Sequence, residues 1–283
     1  MNKTILSSDS TLDLNDELIA KHEVNNIYYH IFSDGVDYID SVTITAADIE
    51  RNYREKHVLP QTSAPNVADY EEHFSRLLEK GDEVIHVNLS SAISSSYQNA
   101  VIASSQFDNV YCVDSRNLSS GGGLLVLKAA EMILRGERAV DIAEYLISAR
   151  DKVHTSFILS NLEFMVAGGR CSALTAFGAN VLKIKPCIEV DTSTGKMGVA
   201  RKYRGEYTQA AVKYATDELT KYDNIDYDSI FITSTTVEDK TRQAVKEAIL
   251  ANGSFKNIYI ANASCTITSH CGAGCLGILF MTK

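Results

Sequence analysis

The sequence predicts an α/β protein in two parts: a mostly parallel sheet flanked by helices over residues 1–153, and a mixed α/β sheet over residues 154–283. Three observations predict it. Short runs rich in β-branched residues, such as EVIHVNL at 83–89, alternate with helical segments through the first half, the pattern of parallel strands joined by crossover helices. Beyond residue 154 a hairpin pattern brings in antiparallel pairing. Only 3 residues are Pro, 45% are hydrophobic and 22% are charged, a globular balance that excludes collagen-like, low-complexity and disordered chains.

Residues 3–6 read as the first strand, running into Ser7, Ser8, Asp9 and Ser10, and a helix follows over 15–21. Residues 27–31 read as the second strand. Thr45 with Asp48, and Asn66 with Asp69, have the spacing of reciprocal N-caps; they start helices ending near Lys56 and Gly81. Strand 83–89 leads through a Ser-rich turn to a helix over 94–106. Strand 110–113 leads through Ser115 and a Ser/Gly turn to the helix LLVLKAAEMILRG, and a helix over 140–152 closes this half.

The second half opens with a strand at 155–159, then a short helix and a Gly-Gly turn within 161–170. Segments 184–190 and 196–203 form a hairpin around 192–195. A helix at 207–222, a strand at 229–233, a helix at 238–251 and strands at 257–260 and 276–281 complete the chain. The boundary falls near residue 153, with no internal repeat and no linker-like composition.

Charge and cysteines narrow the function classes. With 27 Lys and Arg against 36 Asp and Glu the net charge is −9, which excludes a broad basic surface for nucleic acid or other polyanions. MNKTILSSDS lacks the apolar stretch of about 7 to 15 residues of a signal peptide, and no run approaches the roughly 18 to 20 of a membrane span, so a cytoplasmic protein is expected. Six cysteines, at 112, 171, 187, 265, 271 and 275, contain no CxxC pair. Cys265, Cys271 and Cys275 with His270 form the one cluster, at spacings that miss the common zinc patterns, so buried or loop thiols and no metal are expected.

Ligands of an open parallel sheet bind at the carboxyl ends of its strands. The loops there are rich in hydroxyls: Ser7, Ser8 and Ser10; Thr62 and Ser63; Ser90, Ser91, Ser94, Ser95 and Ser96; Ser115, Ser119 and Ser120. Serine is common at turns and caps for local backbone reasons, yet several such loops on one edge point to a polar site. In SSAISSSYQNA, Ser94 is expected to cap the following helix, so that hydroxyls, free N–H groups and the helix dipole face one carboxylate or phosphate. Gly121, Gly122 and Gly123 read as a flexible turn with close helix packing; without GxGxxG or a P-loop, nucleotide binding is not supported.

His270 stands in a turn of small residues, Ser269, Cys271, Gly272, Ala273 and Gly274, as a hydrogen-bonded core histidine or a ligand-site histidine. Ser94 and His270 could pair as nucleophile and base, but there is no GxSxG elbow and no evident acid. Arg170, after two glycines, suits either helix-end carbonyls or an anion. Arg201, Lys202 and Arg204 form a basic patch, either a solvated strand end or a docking surface.

Taken in order, these segments resemble the DegV family, the fatty-acid-binding subunits of bacterial fatty acid kinase. The matching stretches are SDST at 8–11, TSAPN at 62–66, SSAISSSYQNA at 90–100, VDSRNLSSGGG at 113–123, LEFMVAGGR at 162–170, KIKPCIEV at 183–190, RKYRGEYTQA at 201–210 and SHCGAGCLG at 269–277. The resemblance implies a long-chain fatty acid enclosed between the two domains, its carboxylate held by Thr62 and Ser94, with a backbone N–H from Ser95 and His270 close by. It implies a partner too: a separate kinase of the dihydroxyacetone-kinase type, which uses ATP to make the acyl phosphate, so that this chain binds no cofactor and has no catalysis of its own. Arg170 and Arg204 match family arginines expected to dock the kinase or compensate phosphate charge.

The chain departs from the family pattern at Ser95-Ser96, where Gly-Thr is usual, at Ala273, where Pro is usual, and at Asn66, where Ser is common. Residues 157–164 and 174–182 are the candidate apolar lining of the acyl tunnel. The alternatives are a Ser/His esterase or phosphotransferase, and a carrier of another amphiphilic carboxylate.

Overall fold

The computed structural model describes residues 2–171 and 184–283. The chain opens with β1 (Thr4–Asp9), α1 (Asp16–Lys21) and β2 (Asn25–Ile27), then a hairpin, β3 (His30–Ser33) and β4 (Val36–Ile39). Next come α2 (Ala46–Lys56), β5 (Gln61–Ser63), α3 (Val67–Leu78), β6 (Glu83–Asn88), α4 (Ser96–Ser104) and β7 (Val110–Asp114). After α5 (Ser119–Leu134) and α6 (Ala139–Ala149) the second half begins with β8 (Val153–Leu159) and α7 (Glu163–Gly168). It continues through β9 (Lys185–Asp191), β10 (Lys196–Tyr203), α8 (Tyr207–Leu219), β11 (Ile225–Ser234), α9 (Asp239–Asn252), β12 (Asn257–Asn262), α10 (Cys265–Cys271) and β13 (Cys275–Thr282).

Three sheets result. The first, β2-β1-β6-β7, is parallel throughout, and β6 is buried at every position because helices cover both faces. The second, β10-β9-β8-β13-β11-β12, is mixed, with only β11 and β12 parallel. This is the predicted α/β class. The third sheet, β4-β3-β5, is antiparallel and carries Thr62. Both predicted capping boxes form: Thr45 and Asp48 start α2, and Asn66 and Asp69 start α3.

Several expectations are corrected. Residues 27–31 are not one strand: they divide between β2 of the parallel sheet and β3 of the small sheet. Asp34 and Gly35, both at positive φ, supply the Asp-Gly turn that folds β3 onto β4. Gly121, Gly122 and Gly123 lie inside the first turns of α5 rather than in a turn before it, while the close packing expected of them is present. Glycine weakens a helix by about 1 kcal/mol relative to Ala, but here Leu12 and Thr155 press against the glycine face and leave no room for side chains. His270 belongs to the helix α10, not to a turn.

The largest apolar cluster runs from Ile85 and Val113 of the parallel sheet, through Leu125 and Val126 of α5, to Phe157 and Leu279 of the mixed sheet. A smaller one joins Ile31 of β3, Ile49 of α2, Phe164 of α7 and Cys265 of α10. Burial at about 25 cal/mol per Å² of apolar surface holds these elements together. The second cluster fixes the small sheet, α7 and α10 around one point, beside the loop that follows β6.

Candidate ligand-binding site

The loop between β6 and α4 is set from beneath by Asp9, the fully buried last residue of β1. Its carboxylate accepts from the Leu89 N–H at 2.8 Å, the Ser96 hydroxyl at 2.8 Å and the Tyr70 hydroxyl at 2.6 Å, with His86 Nε2 at 3.2 Å. Burial pushes its pKa up, yet the His86, Tyr70 and Leu89 contacts outweigh burial and hold it below the ordinary carboxylate value. Leu89 and Ser96, the two ends of the loop, are therefore pinned to one carboxylate. Ser94 stands between them.

Ser94 is not the residue immediately before the helix, as expected; Ser95 is, without a side-chain capping bond. Ser94 Oγ instead accepts the Ser96 N–H at 3.2 Å and lies 2.8 Å from the Tyr29 hydroxyl. Ser95 has φ −83° and ψ −1°, open to any L-residue, so Ser in place of the family glycine introduces no strain. At position 96 the hydroxyl is the used atom, since it bonds Asp9; Thr would supply the same oxygen.

These residues border a cavity of about 240 Å³. Tyr29, Thr62, Ser94 and His270 line it with polar atoms, and Leu89, Ile93, Leu118, Phe157, Met165 and Ile267 with apolar ones. Thr62 Oγ1 and His270 Nε2 are 2.8 Å apart. Burial, then the Arg170 charge, lowers the His270 pKa to about 4, so its imidazole is neutral at pH 7. Its Nδ1 is buried without a partner among the described residues and faces Gly168, where a Cβ would overlap the ring. The Gly-Gly segment thus lets backbone approach the histidine, while Arg170, also lining the cavity, donates to the Gly168 carbonyl at 2.5 Å.

The structure therefore brings Thr62, Ser94, Ser95, His270 and Arg170 to one cavity. Arg204 does not line it; this residue is exposed just beyond β10. Within the basic patch, Arg201 pairs with Asp217 at 3.3 Å. Of the tunnel candidates, Phe157 lines the cavity, Phe164 packs against Tyr53 instead, and residues 174–182 lie outside the described residues.

Most of the hydroxyl-rich loops serve the fold rather than the cavity. Ser8 bonds Asn26, Ser10 bonds Asp40, Ser91 bonds Asp114 and Ser119 bonds Asp13. Ser7 joins His73 and His86, 2.8 Å from each, in a buried relay ending at Asp9. Sequence reasoning missed Tyr29, Asp9 and His86 as parts of this site's frame. Tyr29 was hidden inside a presumed single strand, and Asp9 was visible only as part of the SDST stretch.

Among the described residues the geometry does not assemble a nucleophile–base pair: Ser94 Oγ is bonded to Tyr29, His270 to Thr62, and no carboxylate stands behind His270 Nδ1. Among the described residues no group of His, Cys, Asp and Glu is placed to hold a metal ion. Among the described residues no disulfide joins the cysteines, and burial raises the Cys112 thiol to about 12 and that of Cys265 to about 11. No helix among them is long and apolar enough to cross a membrane.

Comparison with known proteins agrees with this architecture. A DegV domain-containing protein of Staphylococcus aureus is 26% identical over 288 residues, spanning all of both chains. One from Caldanaerobacter subterraneus is 27% identical over 287 residues, again spanning both chains. A fatty-acid-binding DegV family protein from Thermus thermophilus superposes with a TM-score of 0.89 at 25% identity, over 99% of this chain and 100% of that one. The family model described as "uncharacterised protein, DegV family" matches residues 4–283, and with these relatives it establishes that the chain belongs to the DegV family.

Proposed function

We propose that this protein binds one long-chain fatty acid and presents its carboxylate to a separate ATP-dependent kinase of the dihydroxyacetone-kinase type, which forms the acyl phosphate. The observation that carries the reading is the cavity itself. Neutral hydroxyls at Tyr29, Thr62 and Ser94, the neutral imidazole of His270 and the Arg170 side chain share one chamber with the apolar Leu89, Ile93, Leu118, Phe157, Met165 and Ile267. Such a chamber suits a molecule with one polar end and a long apolar one. Each methylene buried contributes about 0.8 kcal/mol, so the tail supplies affinity while the hydrogen bonds offset desolvation of the carboxylate and fix its orientation. The Thermus thermophilus relative, described by its fatty acid binding, supports the ligand class.

In this reading Thr62 and Ser94 donate to the carboxylate, Ser95 adds a backbone N–H, and His270 stands behind Thr62. Arg170 at the cavity and the exposed Arg204 serve the kinase, by docking it or by compensating phosphate charge. The chain contributes binding and orientation; ATP and the phosphoryl transfer belong to the partner. Denaturing freshly purified protein should release about one equivalent of fatty acid, identified by mass spectrometry. Repeated recovery of none from folded protein overturns the reading, and release of another amphiphilic acid redirects it to that ligand.

A further inference from the structure

Ser94 has one hydroxyl proton and two lone pairs to place. The Ser96 N–H takes one lone pair at 3.2 Å, and the Tyr29 hydroxyl stands 2.8 Å from the same oxygen. The direction of that second bond decides what the cavity accepts. Tyr29 is only 3% exposed, so its proton needs a protein acceptor. The neighbouring Ser96 hydroxyl gives its proton to Asp9, an acceptor-only carboxylate, at 2.8 Å. With that proton committed, Ser96 can face Tyr29 only as an acceptor, and the acceptor within hydrogen-bond distance of the Tyr29 hydroxyl is Ser94 at 2.8 Å. When Tyr29 donates to Ser94, both lone pairs of Ser94 are filled and its single proton is left for whatever enters the cavity.

We propose that Tyr29 is a positioning residue for head-group selectivity: by donating to Ser94 it makes that hydroxyl a donor only, so the cavity accepts an ionised carboxylate in preference to an alcohol of the same chain length. His270 fills one of the two lone pairs of Thr62 Oγ1, at 2.8 Å, when its Nε2 carries the imidazole proton, and so leaves the Thr62 proton free for the ligand. A carboxylate accepts from both hydroxyls. An alcohol accepts too, but brings a proton that Ser94 has no lone pair to take and that only the second lone pair of Thr62 can accept, a poorer match than a carboxylate receiving charge-assisted bonds from both hydroxyls. Burial and the Asp9 charge keep Tyr29 protonated far above neutral pH, so it always has a proton to give. The polarised chain from Tyr29 through Ser94 also strengthens the final bond to the ligand.

The inference rests on the fatty-acid reading, and its test separates the two. Binding of hexadecanoic acid and of 1-hexadecanol is measured by calorimetric titration at pH 8 for the wild type, Tyr29→Phe, Ser94→Ala and the double variant, with thermal melts as the check on folding. The wild type should prefer the acid by on the order of tenfold or more. Tyr29→Phe should weaken the acid by about tenfold and leave the alcohol equal or tighter, since Ser94 regains a lone pair. In the Ser94→Ala background Tyr29→Phe should have no further effect on the acid. Equal weakening of acid and alcohol, an additive double variant, or no acid preference in the wild type overturns the inference; the last needs no variant to fold. A wild type that binds neither ligand overturns the fatty-acid reading itself.

Discussion

Thr62 and His270 lie 208 positions apart in the chain and meet at 2.8 Å between Oγ1 and Nε2. The first comes from the edge of the small antiparallel sheet, the second from the last turn of α10, and the apolar cluster of Ile31, Ile49, Phe164 and Cys265 holds those elements together. Removing either hydroxyl that faces the cavity should therefore affect the ligand more than the fold. Thr62→Ala and Ser94→Ala are each expected to weaken fatty acid binding about tenfold, the scale of one hydrogen bond to a charged group. Titration of the delipidated variants checks this; unchanged affinity in both would remove them from the head-group site.

Arg204 is exposed and stands apart from the cavity lining. Arg204→Ala should bind fatty acid as the wild type does while slowing acyl-phosphate formation when the kinase and ATP are added. A loss of binding equal to that of Thr62→Ala and Ser94→Ala would sink the division of labour between the cavity and the docking surface.

Gly168 leaves no room for a methyl group beside the His270 ring, whereas Gly198 in β10 has open space around its Cβ position. Gly168→Ala should destabilise by about 1 to 3 kcal/mol, the usual cost of overpacking, and should weaken ligand binding by displacing the imidazole from Thr62. Gly198→Ala serves as the control and should melt close to the wild type. Equal melting temperatures for the two variants would contradict this packing.

Asp9 accepts hydrogen bonds from both ends of the loop that presents Ser94. Asp9→Asn keeps the shape but replaces one acceptor oxygen with a donor: in one orientation the Leu89 N–H and the Ser96 hydroxyl both lose Oδ2, in the other the Tyr70 hydroxyl and His86 lose Oδ1. The expected cost is about 1 to 3 kcal/mol in urea unfolding, with weaker fatty acid binding as the loop loosens. Wild-type stability and affinity together would show that the loop is held by other contacts.

Two sets of buried groups pull stability in opposite directions with pH. Burial raises Asp13 to about 7, above its ordinary value of 3.8, so its contribution is full below pH 3.8 and is lost as pH rises through 7. Burial lowers His73 to about 3 and His270 to about 4 from an ordinary 6.5, so their contributions are present above 6.5 and are lost as pH falls through 4 and then 3. Urea midpoints across this range should show Asp13→Asn losing less stability than the wild type between pH 4 and 7, and His73→Gln losing less below pH 6.5. Parallel profiles for the wild type and both variants would contradict the assignment.

The parts of the molecule specified by neighbouring residues were legible in the sequence. Thr45 with Asp48, Asn66 with Asp69 and the β-branched run at 83–89 each signal their element locally, and each forms. The resemblance to the family brought Thr62, Ser94 and His270 together on paper, and the structure places all three on one cavity. Tertiary contact overrode local reading elsewhere. Three consecutive glycines signal a turn by propensity, yet Leu12 and Thr155 pack against them inside α5. His270 sits among residues of weak helix preference, and α10 forms because Cys265, Ile267 and Cys271 are buried against neighbouring elements. Tyr29 could not be found by spacing, because its partner Ser94 lies 65 positions away.

Helix α5 belongs to the apolar interior of both large sheets: Leu125 and Val126 join a cluster that holds Ile85 on one side and Phe157 on the other. The parallel and mixed layers consequently share their unfolding transition. A fluorophore beside β7 and one beside β12 should report the same denaturant midpoint, and the two halves resist being recombined as interchangeable modules, because each lacks part of its own interior when the other is gone.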